Sequence, residues 1–267
     1  MCRMVKQMIR ISKVRIPGLP TEEPRRLYVY LPRDYETSGL SYPVLYMFDG
    51  HNVFYDSHAT YGKSWGMKEY LSRTKLPLIV AAVECNHEGN RRLNEYAPWD
   101  VDIRGLGHLE GLGKKTMDWM AGPLKEFIDG AYRTLPGREN TLIAGSSMGG
   151  LMSLYAVTAR NDVYSRAAAL SPSLWVGGKQ LRALLSETKL RNPTRIYMDL
   201  GSGEVHPRGH GRLTELFTAA GKLTRAGADV SALVIPGALH NEAAWEKRIP
   251  LFMNYLLGED GTSLPRP

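Results

Sequence analysis

Apolar and polar positions follow two different patterns in the first third of the chain. Segments 8–16 and 26–31 alternate apolar with polar residues, which is typical of strands with one exposed face, and Pro-Gly-Leu-Pro at 17–20 separates them. Segments 44–48 and 78–83 are continuous apolar runs, as expected of strands covered on both faces. The pattern predicts an antiparallel pair of strands at the edge of a sheet whose inner strands are buried.

From residue 140 onwards, predicted strands and helices alternate. The strands are predicted at 140–143, 167–170, 195–200 and 230–235, and the helices at 151–157, 179–186, 213–226 and 242–257. This alternation indicates a mostly parallel sheet with helices on both faces. Because we find no internal repeat and no long linker, we expect a single domain over 1–267, with a core at about 8–257 and a frayed tail at 258–267.

Two helices are predicted between these regions. One spans 64–72 with Ser64 as its cap, and the other spans 114–132, where Pro123 introduces a kink. Met and aromatic residues recur at helical spacing along the second helix, which favours a core-facing stripe rather than a cofactor site.

A long loop is predicted over 84–113, and a loop of this length in a compact domain is usually functional. Its Gly-rich end, 105–115, does not fit a nucleotide-binding loop. Glu110 stands where a dinucleotide loop needs glycine, and Lys115 stands where a phosphate loop needs serine or threonine. We therefore predict a flexible loop here, and no cofactor.

Composition narrows the range of partners. The net charge is +7, but the basic residues are spread along the chain without a recognition motif, so we expect no nucleic acid partner. No apolar run reaches the length of a membrane span, and the N-terminus has no apolar signal-peptide core. We expect a soluble cytoplasmic protein, although the sequence leaves open a leader that is cleaved off. Cys2 and Cys85 then stay reduced and unbridged.

One short stretch carries the strongest chemical signal. Gly145-Ser-Ser147-Met-Gly149 fits G-x-S-x-G between a predicted strand and a predicted helix, which is the context of a nucleophile elbow. Small residues two before and two after the serine let strand and helix approach each other. We predict Ser147 as the nucleophile and the Met148 amide as one oxyanion donor.

The base and acid are sought after the later strands, because chemistry in such sheets lies beyond the carboxyl ends of the strands. His240 follows the last strand, and Glu204 lies on the loop after the preceding one, which gives the order Ser147, Glu204, His240 expected of this elbow. Asp199 is the weaker candidate for the acid, because it lies within a strand. His206 and His210 have the spacing of a ligand pair, but we expect no metal because no further ligands complete a site.

The loop after the first buried strand is expected to supply the second oxyanion donor, from the backbone amide of Gly50 or His51. Aromatic and basic residues on loops at the same edge are candidates for the substrate pocket. They are Trp65, Arg92, Tyr96 and Trp175.

Several segments resemble the putative esterase family, the esterase D-like branch of the α/β-hydrolases, which includes siderophore trilactone, feruloyl and acetyl-xylan esterases. The more specific segments are the Asp-Gly-x-Asn-x-Phe block within Tyr46-Met-Phe-Asp-Gly-His-Asn-Val-Phe54 and the block Gly201-Ser-Gly-Glu204, and Arg92-Leu-Asn-Glu-Tyr-Ala-Pro-Trp99 is a supporting segment. The resemblance covers about residues 25–257, without the N-terminal domain of the larger enterochelin esterases. It implies the α/β-hydrolase fold and a triad of Ser147, Glu204 and His240.

These observations predict a serine carboxylic-ester hydrolase that acts through an acyl-enzyme on a small-molecule ester. Arg91, Arg92 and Arg104 lie near Tyr96 and Trp99, which favours aromatic acyl groups of the feruloyl or catecholate kind. A small-acyl carbohydrate esterase and an acyltransferase with the same triad are the alternatives. The sequence leaves the oligomeric state open, with a homodimer as one option.

Overall fold

An eight-stranded sheet forms the centre of the protein in a computed structural model that describes residues 9–20, 23–205 and 211–258. Its strands are β1 Ile9–Val14, β2 Arg25–Tyr30, β3 Val44–Met47, β4 Ile79–Val83, β7 Thr141–Ser146, β8 Arg166–Leu170, β9 Arg195–Gly201 and β10 Asp229–Ile235. The strand order is β1-β2-β4-β3-β7-β8-β9-β10. β2 is antiparallel to β1 and β4, and the remaining neighbours are parallel. A separate hairpin joins β5 Val101–Ile103 to β6 Gly107–Leu109.

Helices cover both faces of this sheet. The helices are α1 Tyr35–Ser38, α2 Met67–Thr74, α3 Arg91–Glu95, α4 Gly113–Trp119, α5 Lys125–Ala131, α6 Met148–Ala159, α7 Gly178–Glu187, α8 Gly211–Arg225, α9 Glu242–Glu246 and α10 Ile249–Leu257. Side chains of a strand alternate between faces, so Ile143 of β7 belongs to the core cluster that includes α6 and α8, whereas Leu142 and Ala144 belong to the cluster that includes α2 and α10. The predicted fold class, an α/β-hydrolase fold with antiparallel N-terminal strands, is confirmed.

The predicted loop at 84–113 contains more regular structure than its composition indicates. It holds α3 and the β5–β6 hairpin, and α4 begins at Gly113. The prediction of a flexible loop over 105–115 was therefore wrong. Gly105 and Gly107 have φ values of +87° and +81°, so Gly105 lies in the turn of the hairpin and Gly107 begins β6 directly after it.

Three helices also differ from the predictions. α2 begins at Met67 rather than at Ser64, whose hydroxyl instead donates to Asp56 Oδ1 at 2.7 Å. The helix predicted over 114–132 contains one turn of π-helix, Met120–Leu124, around Pro123, because proline cannot donate to the α-helical ladder. The closing helix is divided into α9 and α10, and Pro250 lies in the first turn of α10.

The carboxyl ends of the parallel strands bring four loops to one edge of the sheet. Gly50 follows β3, Ser147 follows β7, Glu204 follows β9 and His240 follows β10. None of the described helices is long and apolar enough to cross a membrane. Predictions that concern Cys2, His206, His210 and the tail from residue 259 lie outside the described residues.

Candidate active site

Ser147 lies at the turn between β7 and α6 in a strained backbone conformation, with φ 57° and ψ −121°. Its amide donates to Leu170 O of β8 at 3.0 Å, which holds the turn against the neighbouring strand. A Cβ atom on Gly145 would lie 2.6 Å from the backbone carbon of Gly149. Glycine at both positions therefore lets the strand and the helix approach closely enough to project Ser147 from the turn.

His240 forms a short hydrogen bond with Glu204, with 2.7 Å between His240 Nδ1 and Glu204 Oε2. The Glu204 side chain is fully buried, whereas that of His240 is 36% exposed. An ionised carboxylate can only accept, so His240 Nδ1 carries the proton and Nε2 keeps a lone pair. The imidazole is thus in the tautomer that can accept a proton from a nucleophile.

Three further donors fix the other oxygen of the Glu204 carboxylate. Glu204 Oε1 accepts hydrogen bonds from Ser171 Oγ at 2.6 Å, from the Gly201 amide at 2.9 Å and from Arg248 Nη2 at 3.3 Å. Burial by itself raises the pKa of Glu204, but the hydrogen bonds from His240, Ser171 and Gly201 outweigh burial and lower the pKa to about 2. Glu204 is therefore ionised at neutral pH and oriented before substrate binds.

Asp199, the weaker candidate for the acid, has other partners. It is fully buried in β9, where Oδ1 accepts from Arg248 Nη1 at 2.9 Å and Oδ2 accepts from the Tyr197 hydroxyl at 2.9 Å. The structure thus brings Glu204 rather than Asp199 against His240, and it connects both carboxylates through Arg248.

Ser147 and His240 open into one cavity of about 530 Å³. The wall of the cavity combines aromatic, charged and small polar side chains. Its lining includes Phe48, Asp49, His51, Asn52, Trp65, Cys85, His87, Arg92, Glu242 and Trp245. The Oγ atom of Ser147 lies 3.3 Å from Ser173 Oγ, so a second hydroxyl borders the nucleophile position. The volume falls within the range typical of small-molecule sites.

The three residues named as oxyanion donors lie at two helix starts beside this cavity. Met148 is the first residue of α6, so its amide has no acceptor within the helix. Gly50 and His51 begin a short 3-10 helix directly after Asp49, which adopts a left-handed conformation with φ 55°. A Cβ on Gly50 would lie 2.5 Å from Ala82 O, so this loop packs tightly on β4.

Two of the four predicted pocket residues line the cavity, and two do not. Trp65 and Arg92 lie in its wall. Tyr96 is a correction, because its ring is buried below the wall, packs edge-on against Phe48 at 5.1 Å and accepts a hydrogen bond from the Asp49 amide. Trp175 is a second correction, because the turn after Ser173 leaves it 44% exposed and away from the cavity lining.

Arg92 is bound to Asp49 rather than free to meet a substrate. Its Nε and Nη2 atoms donate to the two carboxylate oxygens of Asp49, each at 2.7 Å. Burial opposes ionisation of Asp49, but the Arg92 guanidinium outweighs burial and lowers the pKa of this carboxyl group. The pair carries little net charge, so Arg92 contributes less positive potential to the cavity than the sequence alone indicates.

Residues behind Glu204 were not identified from the sequence. Ser171 has φ 45°, and its hydroxyl accepts from Trp245 Nε1 at 3.1 Å and from Arg248 Nη1 at 2.9 Å while it donates to Glu204. The only sequence signal was Ser171-Pro172 at the end of a predicted strand. Arg248 carried no signal, because its partners come from three distant segments.

One group of side chains in the described part of the chain has the composition of a metal site. His51, Cys85 and His87 place their ligand atoms within 4.8 Å of one another. Cys85 is a free thiol, and burial raises its pKa. Burial also lowers the pKa of His51 to about 4, so His51 is neutral. The sequence does not reveal this group, because His51 lies on a different loop from Cys85 and His87 and no local spacing connects them.

The sheet order, the elbow at Ser147 and the position of His240 define the protein as an α/β-hydrolase. A family model described as putative esterase matches residues 20–251, so the chain belongs to this family and is an esterase. The uncharacterised protein YbbA of Bacillus subtilis strain 168 is 23% identical over 182 residues, which are 67% of this chain and 69% of that protein.

Solved structures share the fold at low sequence identity. An IroE-like serine hydrolase from Shewanella oneidensis superposes with a TM-score of 0.71 and 19% identity, over 92% of this chain and 79% of that one. A ferulic acid esterase superposes with a TM-score of 0.67 and 16% identity, over 95% of this chain and 97% of that one.

Proposed function

We propose that the protein hydrolyses carboxylic esters through an acyl-enzyme formed on Ser147, with His240 as the base and Glu204 as the acid that orients it. The observation that carries the proposal is the 2.7 Å hydrogen bond between His240 Nδ1 and Glu204 Oε2, beside a cavity that also contains Ser147. A serine hydroxyl needs such a base, because it is a weak nucleophile while it keeps its proton.

The proposed reaction has two halves. Ser147 Oγ bonds to the ester carbonyl carbon while His240 Nε2 takes the hydroxyl proton, and the carbonyl oxygen becomes an oxyanion that accepts from the amides of Met148 and of Gly50 or His51. The carbon–oxygen bond to the alcohol then breaks, and the alcohol leaves with the proton from His240. Water repeats these steps on the acyl-enzyme, which releases the acid and restores Ser147.

Covalent labelling and turnover test the nucleophile together. A chromogenic ester should be turned over by the wild type, and a fluorophosphonate should add one label per chain at Ser147, located by peptide mass spectrometry. Ser147→Ala should lose about 10⁴–10⁶-fold in kcat and accept no label. Ser173→Ala is the matched control, because its hydroxyl lies 3.3 Å away and should not be required. Labelling at another residue, or more than a tenth of wild-type activity in Ser147→Ala, would contradict the proposal.

For the substrate, we propose an aromatic acyl ester of the feruloyl or catecholate kind. The support is the aromatic wall, in which Trp65 and Trp245 lie with ring centroids 5.9 Å apart and Phe48 faces the same cavity. Flat aromatic surfaces in a cavity favour a planar group. The fold shared with a ferulic acid esterase is consistent with such a substrate.

A substrate panel separates this proposal from its alternatives. We expect kcat/KM to be at least about tenfold higher for feruloyl or dihydroxybenzoyl esters than for acetyl esters with the same alcohol, because burying a ring against aromatic side chains contributes more than about 1.4 kcal/mol. Equal or higher values for acetyl esters would instead indicate a small-acyl carbohydrate esterase. Product analysis with an added alcohol or sugar distinguishes an acyltransferase, which would form a new ester in place of free acid.

A further inference from the structure

Three potential metal ligands lie on the loops after two neighbouring parallel strands. His51 follows β3, whereas Cys85 and His87 follow β4, and these strands pair directly. Their carboxyl ends therefore bring the three side chains to the same edge of the sheet. The two imidazole rings are in edge contact, with centroids 4.4 Å apart, and the ligand atoms of all three residues lie within 4.8 Å of one another.

Each histidine uses Nε2 in a hydrogen bond to a residue outside this group, which leaves Nδ1 for a ligand. His51 Nε2 lies 3.0 Å from Thr60 Oγ1, and His87 Nε2 lies 2.9 Å from Glu84 Oε1. Metal-binding histidines usually donate a hydrogen bond from the N–H of their second ring nitrogen to an oxygen, which fixes the tautomer and the ring orientation.

The Nδ1 atom of His51 has no partner in the described structure, although the His51 side chain is almost completely buried, with 3% exposure. Buried polar atoms are nearly always hydrogen-bonded or bound to an ion, because an unpaired one costs free energy. This atom is independent evidence for a ligand beside Cys85 and His87.

We propose that His51, Cys85 and His87 form a Zn²⁺ site in the wall of the cavity. Two imidazole nitrogens and one thiolate are donors that zinc prefers, and three protein ligands leave a fourth position, which here faces the cavity. The Zn–S bond forms as the Cys85 thiol releases its proton to solvent.

The three ligand atoms must move closer together to hold one ion. Ligands at about 2.0–2.3 Å from one tetrahedral ion lie about 3.3–3.5 Å from each other, against an upper limit of 4.8 Å in the structure. The side chain of His87 is 49% exposed and lies on a loop, so it has room to move the remaining distance. The site does not depend on Ser147 or on ester hydrolysis, and its failure would leave the proposed function standing.

Direct metal titration of the full chain tests the site. Protein stripped with a chelator should bind one Zn²⁺, and Co²⁺ in its place should give a thiolate-to-metal charge-transfer absorption. Cys85→Ser should abolish this absorption, and both Cys85→Ser and His87→Ala should weaken Zn²⁺ binding by at least about 100-fold. Circular dichroism checks that each variant is folded. If Cys85→Ser does not fold, the Zn²⁺ affinity of His87→Ala tests the site.

Matched controls identify the ligands. Cys2→Ser makes the same substitution at the other cysteine, and His108→Ala removes an exposed histidine on the β5–β6 hairpin. Both variants should bind Zn²⁺ as the wild type does. Ser147→Ala should also bind normally. The proposal is overturned if the wild type binds less than half an equivalent, if His87→Ala binds as tightly as the wild type, or if binding is lost in His240→Ala while His87→Ala retains it.

Discussion

Arg248 and Glu204 are joined in two ways. Arg248 Nη2 donates directly to Glu204 Oε1 at 3.3 Å, and Arg248 Nη1 donates to Ser171 Oγ at 2.9 Å, which itself donates to Glu204 Oε1 at 2.6 Å. Arg248 is only 1% exposed and also binds Asp199. Two buried carboxylates thus share one guanidinium, and the forked arrangement sets the position of Glu204 behind His240.

Arg248→Lys tests this positioning role. An ammonium group keeps the charge but cannot reach Asp199, Ser171 and Glu204 in the same planar geometry. We expect kcat to fall at least about tenfold with little change in KM, because the imidazole is held less accurately while the cavity wall is unchanged. Steady-state kinetics with a chromogenic ester provides the measurement, and urea unfolding should show a loss of about 1–3 kcal/mol.

Arg212→Lys is the control for that variant. Arg212 reaches the same carboxylate from the solvent side, with 3.9 Å from Nη1 to Glu204 Oε2 and a side chain that is 34% exposed. Its replacement should change kcat less than about twofold, since Arg212 is partly exposed and its contact with the carboxylate is long. Equal losses in the two variants, or a change confined to KM, would mean that Arg248 does not position Glu204.

The two carboxylates that contact Arg248 should differ in their effects on catalysis. Glu204→Gln removes the charge beside His240 and lets the amide nitrogen donate to Nδ1, which favours the wrong tautomer. We expect kcat to fall by about 10²–10⁴-fold. Asp199→Asn should change kcat by less than about tenfold and should instead lower the free energy of unfolding, because it weakens a buried ion pair. The reverse order of kcat losses would place the acid in β9.

The sheet was predictable because its signals are local. Continuous apolar runs marked β3 and β4, and the glycines around Ser147 marked the elbow. The residues that follow strands could also be assigned to one edge from topology alone. Predictions were weakest where tertiary contacts override composition, as in the hairpin at 101–109, whose strands are only three residues long.

Side-chain direction could not be obtained in this way. Tyr96 and Trp175 lie on loops at the expected edge, but one is buried beneath the cavity and the other faces solvent. Arg248 shows a related difficulty, because it belongs to the site although no sequence pattern marks it. Its partners, Ser171, Asp199 and Glu204, are separated from it by 44 to 77 positions, so no local pattern in the sequence connects them.

The pKa of Glu204 predicts a pH-dependent contribution to stability. Its folded-state value of about 2 lies below the ordinary value of 4.5, so the ionised form stabilises the fold. The stabilisation is complete above pH 4.5 and is lost as the pH falls towards 2. At about 1.36 kcal/mol per unit it amounts to about 3 kcal/mol, and the side chain is fully buried, so solvent screening is small.

Urea unfolding of the wild type and Glu204→Gln at pH 6, 4.5 and 3 measures this contribution. The difference in unfolding free energy between the two proteins should be smaller at pH 3 than at pH 4.5 or 6. Two other carboxyl groups also have lowered pKa values in spite of burial: Asp49, because of Arg92, and Glu84, because of His87 and Arg26. Both groups are present in both proteins, so their contributions cancel in the difference. A difference that stays constant down to pH 3 would contradict the lowered pKa of Glu204.

Gly50→Ala tests the proposed oxyanion loop without touching the triad. An added Cβ would lie 2.5 Å from Ala82 O and 2.7 Å from Ala82 C, and both are backbone atoms of β4 that cannot rotate away. The loop must therefore shift, and it would carry the amides of Gly50 and His51 with it. Loss of one oxyanion donor typically lowers kcat by about 10²–10³-fold, so we expect a loss in this range with KM changed much less.

Gly130→Ala is the control, because it lies in α5 with no atom within 4 Å of the new Cβ and should leave kcat unchanged. Wild-type kcat in a folded Gly50→Ala would show that this loop does not stabilise the oxyanion.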